Sequence, residues 1–224
     1  IDLNILLRQK SHFFFGPRGT GKSSLIKNTL PDDVLVDLLD DDVFSRLLRR
    51  PKSLSEIIPA NSKIIIIDEI QRIPELLNEV HRLIEARHTR FLMTGSSARK
   101  LRRGGANLLG GRAWEAHLFP LTSKELGKDF NLTHYLNRGG LPVPYFSDCP
   151  YDEIKNYVKL YIREEVQAES LVRRMDHFVR FLDIASLQSG EELNFEGIGN
   201  DAGVPSRTVA TYFEVLEDTL VGFL

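Results

Sequence analysis

A chain of 224 residues with 42% hydrophobic and 27% charged residues has the make-up of an ordinary globular protein, enough for one large domain or for a larger and a smaller one. Its formal net charge of −2 excludes chain-wide attraction to nucleic acid or acidic membranes, so any such contact must come from a local patch. The single cysteine, Cys149, excludes an internal disulfide framework and a cysteine-built zinc site, and no apolar run is long enough to span a bilayer.

No basic-then-apolar signal segment opens the chain, and a reducing cytoplasmic setting is the expectation. Residue 1 is Ile, not Met, and the chain stops within the apolar run Leu220-Val221-Gly222-Phe223-Leu224. This reads as a fragment of a longer protein.

In chain order, Phe13-Phe14-Phe15 is the first strand candidate, followed by a glycine-rich loop and a helix over about 22–29. Val34-Leu35-Val36 is a second strand. Ile64-Ile65-Ile66-Ile67 is a third, and its lack of a polar face places it inside a parallel sheet covered on both sides. Helical spacing of Leu76, Leu77, Val80 and Leu83 predicts a helix over about 74–86. Strands follow at Phe91-Leu92-Met93-Thr94 and near 113–118. Alternation of this kind means an α/β three-layer domain. Beyond Leu121 strand signals vanish and helices are expected at 123–126, 132–137, 151–169 and 176–187, with a hinge-like break at Gly139-Gly140-Leu141-Pro142-Val143-Pro144.

The run Gly16-Pro17-Arg18-Gly19-Thr20-Gly21-Lys22-Ser23 matches the phosphate-loop spacing G-x-x-x-x-G-K-S and has both the strand before it and the helix after it. Gly16, Gly19 and Gly21 are expected to take positive φ and to turn successive N–H groups toward phosphate oxygens, with the helix dipole behind them. Lys22 is placed to reach the β- and γ-phosphates and Ser23 to ligate Mg²⁺, with binding extending to Ser24.

Strand three ends in Asp68-Glu69, at the carboxyl edge where open α/β sheets bind ligands. Asp68 is the expected Mg²⁺ ligand and Glu69 the expected general base for water. Strand four ends Thr94-Gly95-Ser96-Ser97, where Thr94 or Ser96 either senses the γ-phosphate or serves as a plain helix cap. Gln71 is a further candidate for contact with water or the γ-phosphate. No Asn-Lys-x-Asp guanine-recognition motif occurs, which favours ATP over GTP.

The segments GPRGTGKSSL, IIIIDEIQRIPEL, FLMTGSSARKL, GGRAWEAHLFPLTSKEL and YLNRGGLP together resemble a large group of prokaryotic AAA+-type ATPases of the additional-strand catalytic-glutamate class, joined to a C-terminal domain of unknown function. The resemblance implies a five-stranded parallel sheet of order 5-1-4-3-2. It also places Arg112, in Gly110-Gly111-Arg112, where the group commonly has a Gly-Arg pair. A guanidinium there either stabilises transition-state charge, in cis or across a subunit interface, or fixes the loop by an ion pair.

Arg99, Lys100, Arg102 and Arg103 form a basic run that reads first as a solvated helix face and loop. Residues 195–203 and 205–216 read as a helix-turn-helix of winged-helix type, with Ser206 as N-cap and Val209, Phe213 and Leu216 as its buried stripe. Seven carboxylates against Arg207 alone across 191–218, a local net of −6, argue against phosphate contact through it. The expected domains are a P-loop ATPase domain at 1–122, a helical lid or linker at 123–190, and the start of a C-terminal domain at 191–224. The function expected is Mg²⁺-dependent ATP binding and hydrolysis, coupled to the helical region. A nucleotide-gated switch with little turnover is the alternative, and a DNA-binding protein a third. ATP is the expected ligand and a protein partner or self-association is expected. DNA is less favoured, and no membrane contact is expected.

Overall fold

Five consecutive residues, Ser11–Phe15, are buried on both faces and form β1, near the middle of a parallel sheet. The computed structural model describes residues 1–96, 98, 101, 109–161, 166 and 174–223, and its chain divides into two units, Ile1–Tyr145 and Phe146–Leu224. The remaining strands are β2 (Val34–Asp37), β3 (Ile64–Asp68), β4 (Arg90–Gly95) and β5 (Ala113–His117). Their order is β2-β3-β4-β1-β5 with every pairing parallel, which is the order 5-1-4-3-2 expected above. β4 therefore lies between the strands that carry the phosphate loop and the acidic pair.

Because side chains alternate across a strand, Phe14, Ile66 and Leu92 share one face. There they pack with Leu3 and Leu7 of α1 (Leu3–Gln9) and with Ile26 of α2 (Lys22–Thr29). Phe13, Phe15, Ile65, Ile67, Phe91 and Met93 are equally buried on the alternate positions. α5 (Leu76–Arg87) packs against β4 through the stripe Leu76, Leu77, Val80 and Leu83. Each such side chain contributes roughly 1.5–3 kcal/mol on burial, so the sheet's carboxyl edge rests on a stiff base.

Several short helices lack a strong sequence signal. α1 is capped by Asp2, and α3 (Asp41–Arg49) by Asp40, whose side chain accepts from the N–H groups of Asp42 and Val43. α4 is Leu54–Ile57. α6 (Ser123–Leu126) carries a capping box between Thr122 and Glu125, and α7 spans Leu132–Arg138. α8, Pro142–Phe146, starts inside the segment 139–144 expected as a hinge-like break. Prolines at the first and third helical positions remove N–H groups that no helical carbonyl would have satisfied, so both prolines are accommodated.

Among its described residues the second unit is helical, with α9 (Pro150–Tyr161), α10 (Met175–Leu187), α11 (Phe195–Ala202) and α12 (Ser206–Asp218); of the helix expected at 151–169, residues 162–165 and 167–169 lie outside the described residues. The division between units falls at 145/146, inside the region 123–190 assigned from sequence to one helical part. The helix-turn-helix is present. Gly203 adopts φ 70°, the left-handed conformation that ends α11, and a Cβ on Gly199 would stand 2.6 Å from the Val204 carbonyl oxygen. Val209, Phe213 and Leu216 are buried as expected, with Tyr212 edge-on to Phe178 at 5.1 Å. Ser206 is the first helical residue and makes no cap; Pro205 holds the cap position. Among the described residues no strand follows α12, so a wing is not part of them. Residues 99, 100, 102 and 103 of the basic run lie outside the described residues.

Candidate active site

The parallel register sets the geometry of the site. Phe15, Asp68 and Gly95 all end strands at the carboxyl edge, so the phosphate loop, the acidic pair and the β4 terminus meet there.

Within the loop, Gly19 (φ 77°) and Gly21 (φ 93°) take the expected left-handed conformations. Gly16 does not. It is required for close approach, since a Cβ there would collide with the carbonyl oxygen of Leu118, the residue after β5, whose N–H donates to Phe15 O at 2.8 Å. The Thr20 hydroxyl donates to Pro17 O at 2.8 Å and braces the turn from inside. Lys22 Nζ donates to the carbonyls of Gly16 (2.6 Å) and Pro17 (3.1 Å), which lays its charge across the loop. α2 starts at Lys22 with Gly21 as N-cap and no side chain capping its first N–H groups. Such a terminus, with its positive dipole end, is suited to an anion. Ser23 and Ser24 are exposed in its first turn, and Arg18 is exposed on the loop.

Opposite the loop, Thr94 is fully buried and its hydroxyl donates to Asp68 Oδ1. The Glu69 N–H approaches the same hydroxyl at 3.4 Å. Glu69 has φ 60°, a left-handed backbone that costs a non-glycine residue on the order of 1–2 kcal/mol and turns its carboxyl away from the strand line. Gln71 donates from Nε2 to Glu69 Oε2, and its amide seats against Gly95, where a Cβ would collide with Gln71 Oε1. That Oε1 atom is buried and has no hydrogen-bond partner among the described residues. Burial, and then the negative charge of Asp68, push the Glu69 carboxyl above the ordinary carboxylate range; the Gln71 bond and the charges of Lys22 and Arg18 act the other way. Ser96 follows β4 at the same edge, half-buried.

Arg112 is not brought to this cluster. It precedes β5, and Ala113 pairs with Ser11, so Arg112 stands at the amino edge, about 16 Å of strand from the phosphate loop at ~3.3 Å per residue. Its Nε donates to Glu85 Oε1 at 2.5 Å, the ion-pair alternative of the two readings. Gly95 and Leu118 are site-shaping residues that sequence reading did not single out. A glycine ending a strand was the only signal for Gly95.

The AAA domain family matches residues 8–127, over half of the chain. This chain belongs to the AAA domain family. The AAA domain so delimited contains the phosphate loop, Asp68-Glu69, Gln71, Thr94 and Leu118, and residues 129–224 match a domain of unknown function (DUF8612). No curated protein sequence matches the chain. Among solved structures the AAA domain and its C-terminal extension are similar to the ADP form of the Aeropyrum pernix ORC2 protein, at 16% identity, over 96% of this chain and 81% of that one, with a TM-score of 0.47. They are also similar to the replication initiator DnaA bound to AMPPCP and single-stranded DNA, at 11% identity over 96% and 86%, TM-score 0.41. Domain III of the Thermotoga maritima DnaA aligns at 16% identity over 95% and 85%, TM-score 0.34. No helix among the described residues is long and apolar enough to cross a membrane.

Proposed function

We propose that the protein is a Mg²⁺-dependent ATPase in which Glu69 activates water. The observation that supports this reading most is the pairing of a buried carboxyl of raised proton affinity with the uncapped, glycine-built loop at one edge of one sheet. The left-handed N–H nest of Gly19 and Gly21 and the start of α2 bind the phosphates. Lys22 exchanges its loop carbonyls for the β- and γ-phosphates.

Among the described residues no group of three or more His, Cys, Asp and Glu forms a protein-only metal cage. An exposed Ser23 and a half-buried Asp68 suit Mg²⁺, which takes few protein ligands and fills its shell with phosphate oxygens and water. When bound, Mg²⁺ neutralises charge on the phosphate oxygens. Thr94 orients Asp68 for that task by donating to one of its oxygens.

Glu69 takes a proton from water as the water oxygen bonds to the γ-phosphorus and the bond to the bridging oxygen breaks, releasing ADP and phosphate. Gln71 holds Oε2 of Glu69, so the proton passes to Oε1. Ser96 and the buried Oε1 of Gln71 are the neighbouring groups that orient the water or sense the γ-phosphate. Nucleotide state then acts on the helical part, 146–223. Arg112 serves as a loop-fixing ion pair with Glu85.

A second reading, a nucleotide-gated switch with little turnover, draws support from the engagement of both acidic residues by protein side chains, Asp68 by Thr94 and Glu69 by Gln71. Nucleotide affinity measured by calorimetry for wild type and Lys22→Ala tests the shared premise. Loss of at least about tenfold (~1.4 kcal/mol) in Lys22→Ala is expected. Equal affinity in the two proteins would remove the phosphate loop from nucleotide binding.

A further inference from the structure

The amino edge of the sheet, away from the phosphate loop, carries a second cavity of about 710 Å³. Its wall is cationic. Arg8 comes from the last turn of α1, Lys63 precedes β3, Arg87 ends α5, and Arg90 opens β4 beyond His88. The register Ile64↔Arg90 places these strand starts side by side. Asp2 is the one carboxylate among the lining residues. Its Oδ1 is already engaged as the cap of α1, accepting from the N–H groups of Asn4 at 2.9 Å and Ile5 at 3.2 Å.

Four permanent cations therefore face one carboxylate, in a chain whose formal net charge is −2. Among the described residues no ion pair engages Arg8, Lys63, Arg87 or Arg90, whereas nearby Arg112 is paired with Glu85. Arg87 Nη2 meets Ser55 O at 3.5 Å and Arg90 Nη1 meets His88 O at 3.3 Å, both long bonds to neutral carbonyls. The ordinary structural role for such cations is to offset helix dipoles. α1 and α5 both end at this edge, and each helix end carries about −0.5 charge. Together with Asp2 that offsets about two of the four positive charges. Lys63 and Arg90 belong to strand starts and have no such task.

Arg8, Lys63 and Arg87 are exposed and Arg90 is half-buried, so solvent reaches these side chains around the cavity. A ligand that keeps most of its hydration and offers spaced negative charge fits this better than a buried small molecule. A phosphodiester backbone has that chemistry, and guanidinium forks match phosphate oxygens. The helix-turn-helix is a poorer candidate. The exposed side chains of α12 include Arg207 but also Glu214 and Glu217.

We infer that this pocket is a nucleic-acid backbone site, with Arg8, Lys63, Arg87 and Arg90 contacting phosphates. The site is independent of the nucleotide chemistry at the opposite edge. The test uses the full chain and a labelled single-stranded and a labelled duplex oligonucleotide, followed by fluorescence anisotropy over a series of salt concentrations. Lys63→Glu/Arg87→Glu should weaken binding at least about tenfold and lower the salt slope by about 0.9 per lost duplex phosphate contact, or about 0.7 for a single strand. The milder Lys63→Gln/Arg87→Gln pair should act in the same direction, with melting temperature and ATP affinity unchanged as checks on folding. Unchanged oligonucleotide affinity and slope in both variants would overturn the inference. So would loss of affinity only on neutralising Arg99, Lys100, Arg102 and Arg103. Binding of inorganic tripolyphosphate that depends on these residues, without binding of either oligonucleotide, would identify a free phosphate site and likewise overturn it.

Discussion

At the scale of single residues, Glu69 combines the general-base role proposed for it with a left-handed backbone. The left-handed backbone costs folding free energy, and desolvation beside the Asp68 charge costs more while raising the basicity of the carboxyl. The sign of the pH effect follows. A carboxyl raised in the folded state contributes stability that is present below its unfolded value and lost as pH rises through its folded value. At neutral pH the ionised group is therefore a local liability, and Glu69→Gln should raise the melting temperature at neutral pH relative to acidic pH. As a base Glu69 must be ionised, so ATP turnover should fall on its acidic side through a limb lying above the ordinary carboxylate value of about 4.3. A pH–rate profile without a limb in that direction would separate turnover from Glu69.

The placement of the phosphate loop beside Asp68 and Glu69 at one sheet edge was legible in the sequence, because motif spacing and the strand–loop–helix order carry that requirement directly. The role of Gly16 was not, and for Arg112 the sequence left two roles open. Gly16 is needed for contact with Leu118 at the end of the adjacent strand β5, and a pairing over a hundred residues away leaves no local mark. Arg112 lies beside a strand, but at its start. In a parallel sheet strand starts and strand ends face opposite edges, so within one chain Arg112 stands apart from the phosphate loop and pairs with Glu85, the ion-pair alternative of the two.

At the scale of elements, β4 works as a shared wall. Its Thr94 holds Asp68, and its Gly95 makes room for Gln71, which in turn holds Glu69. Gly95→Ala should separate fold from function. The atom a new Cβ meets is the tip of a side chain that can shift, so the stability cost should stay near the lower end of the roughly 1–3 kcal/mol of overpacking. Turnover should fall on the order of tenfold to a hundredfold as Gln71 is displaced from Glu69. Gln71→Ala should reproduce the loss with nucleotide affinity retained. Steady-state kinetics beside thermal melting would check both. The long apolar elements were read within a few residues of their observed bounds, since β3 and α5 carry unbroken patterns. The short α1, α3 and α8 were not. A turn or two of helix gives little periodicity, and in α8 the prolines mimic a break.

At the scale of the whole molecule, two units stand on different physics. The first is a parallel sheet with charge chemistry at both edges, and the second a helical unit cored by Phe178, Phe181, Tyr212 and Phe213. If nucleotide state acts on the second unit, backbone hydrogen exchange in α9–α12 should change on adding ATP and Mg²⁺ to wild type. Lys22→Ala should show no such change. Identical exchange in wild type with and without nucleotide would leave the helical unit outside the ATP cycle.

The decisive measurement is ATP hydrolysis by wild type and by Glu69→Gln, with nucleotide binding measured on the same preparations. Wild type should turn over ATP, and Glu69→Gln should bind it with similar affinity while losing about 10²–10⁴ in rate. Hydrolysis by Glu69→Gln at the wild-type rate would contradict the role given to Glu69 and to the raised carboxyl at the edge of the sheet.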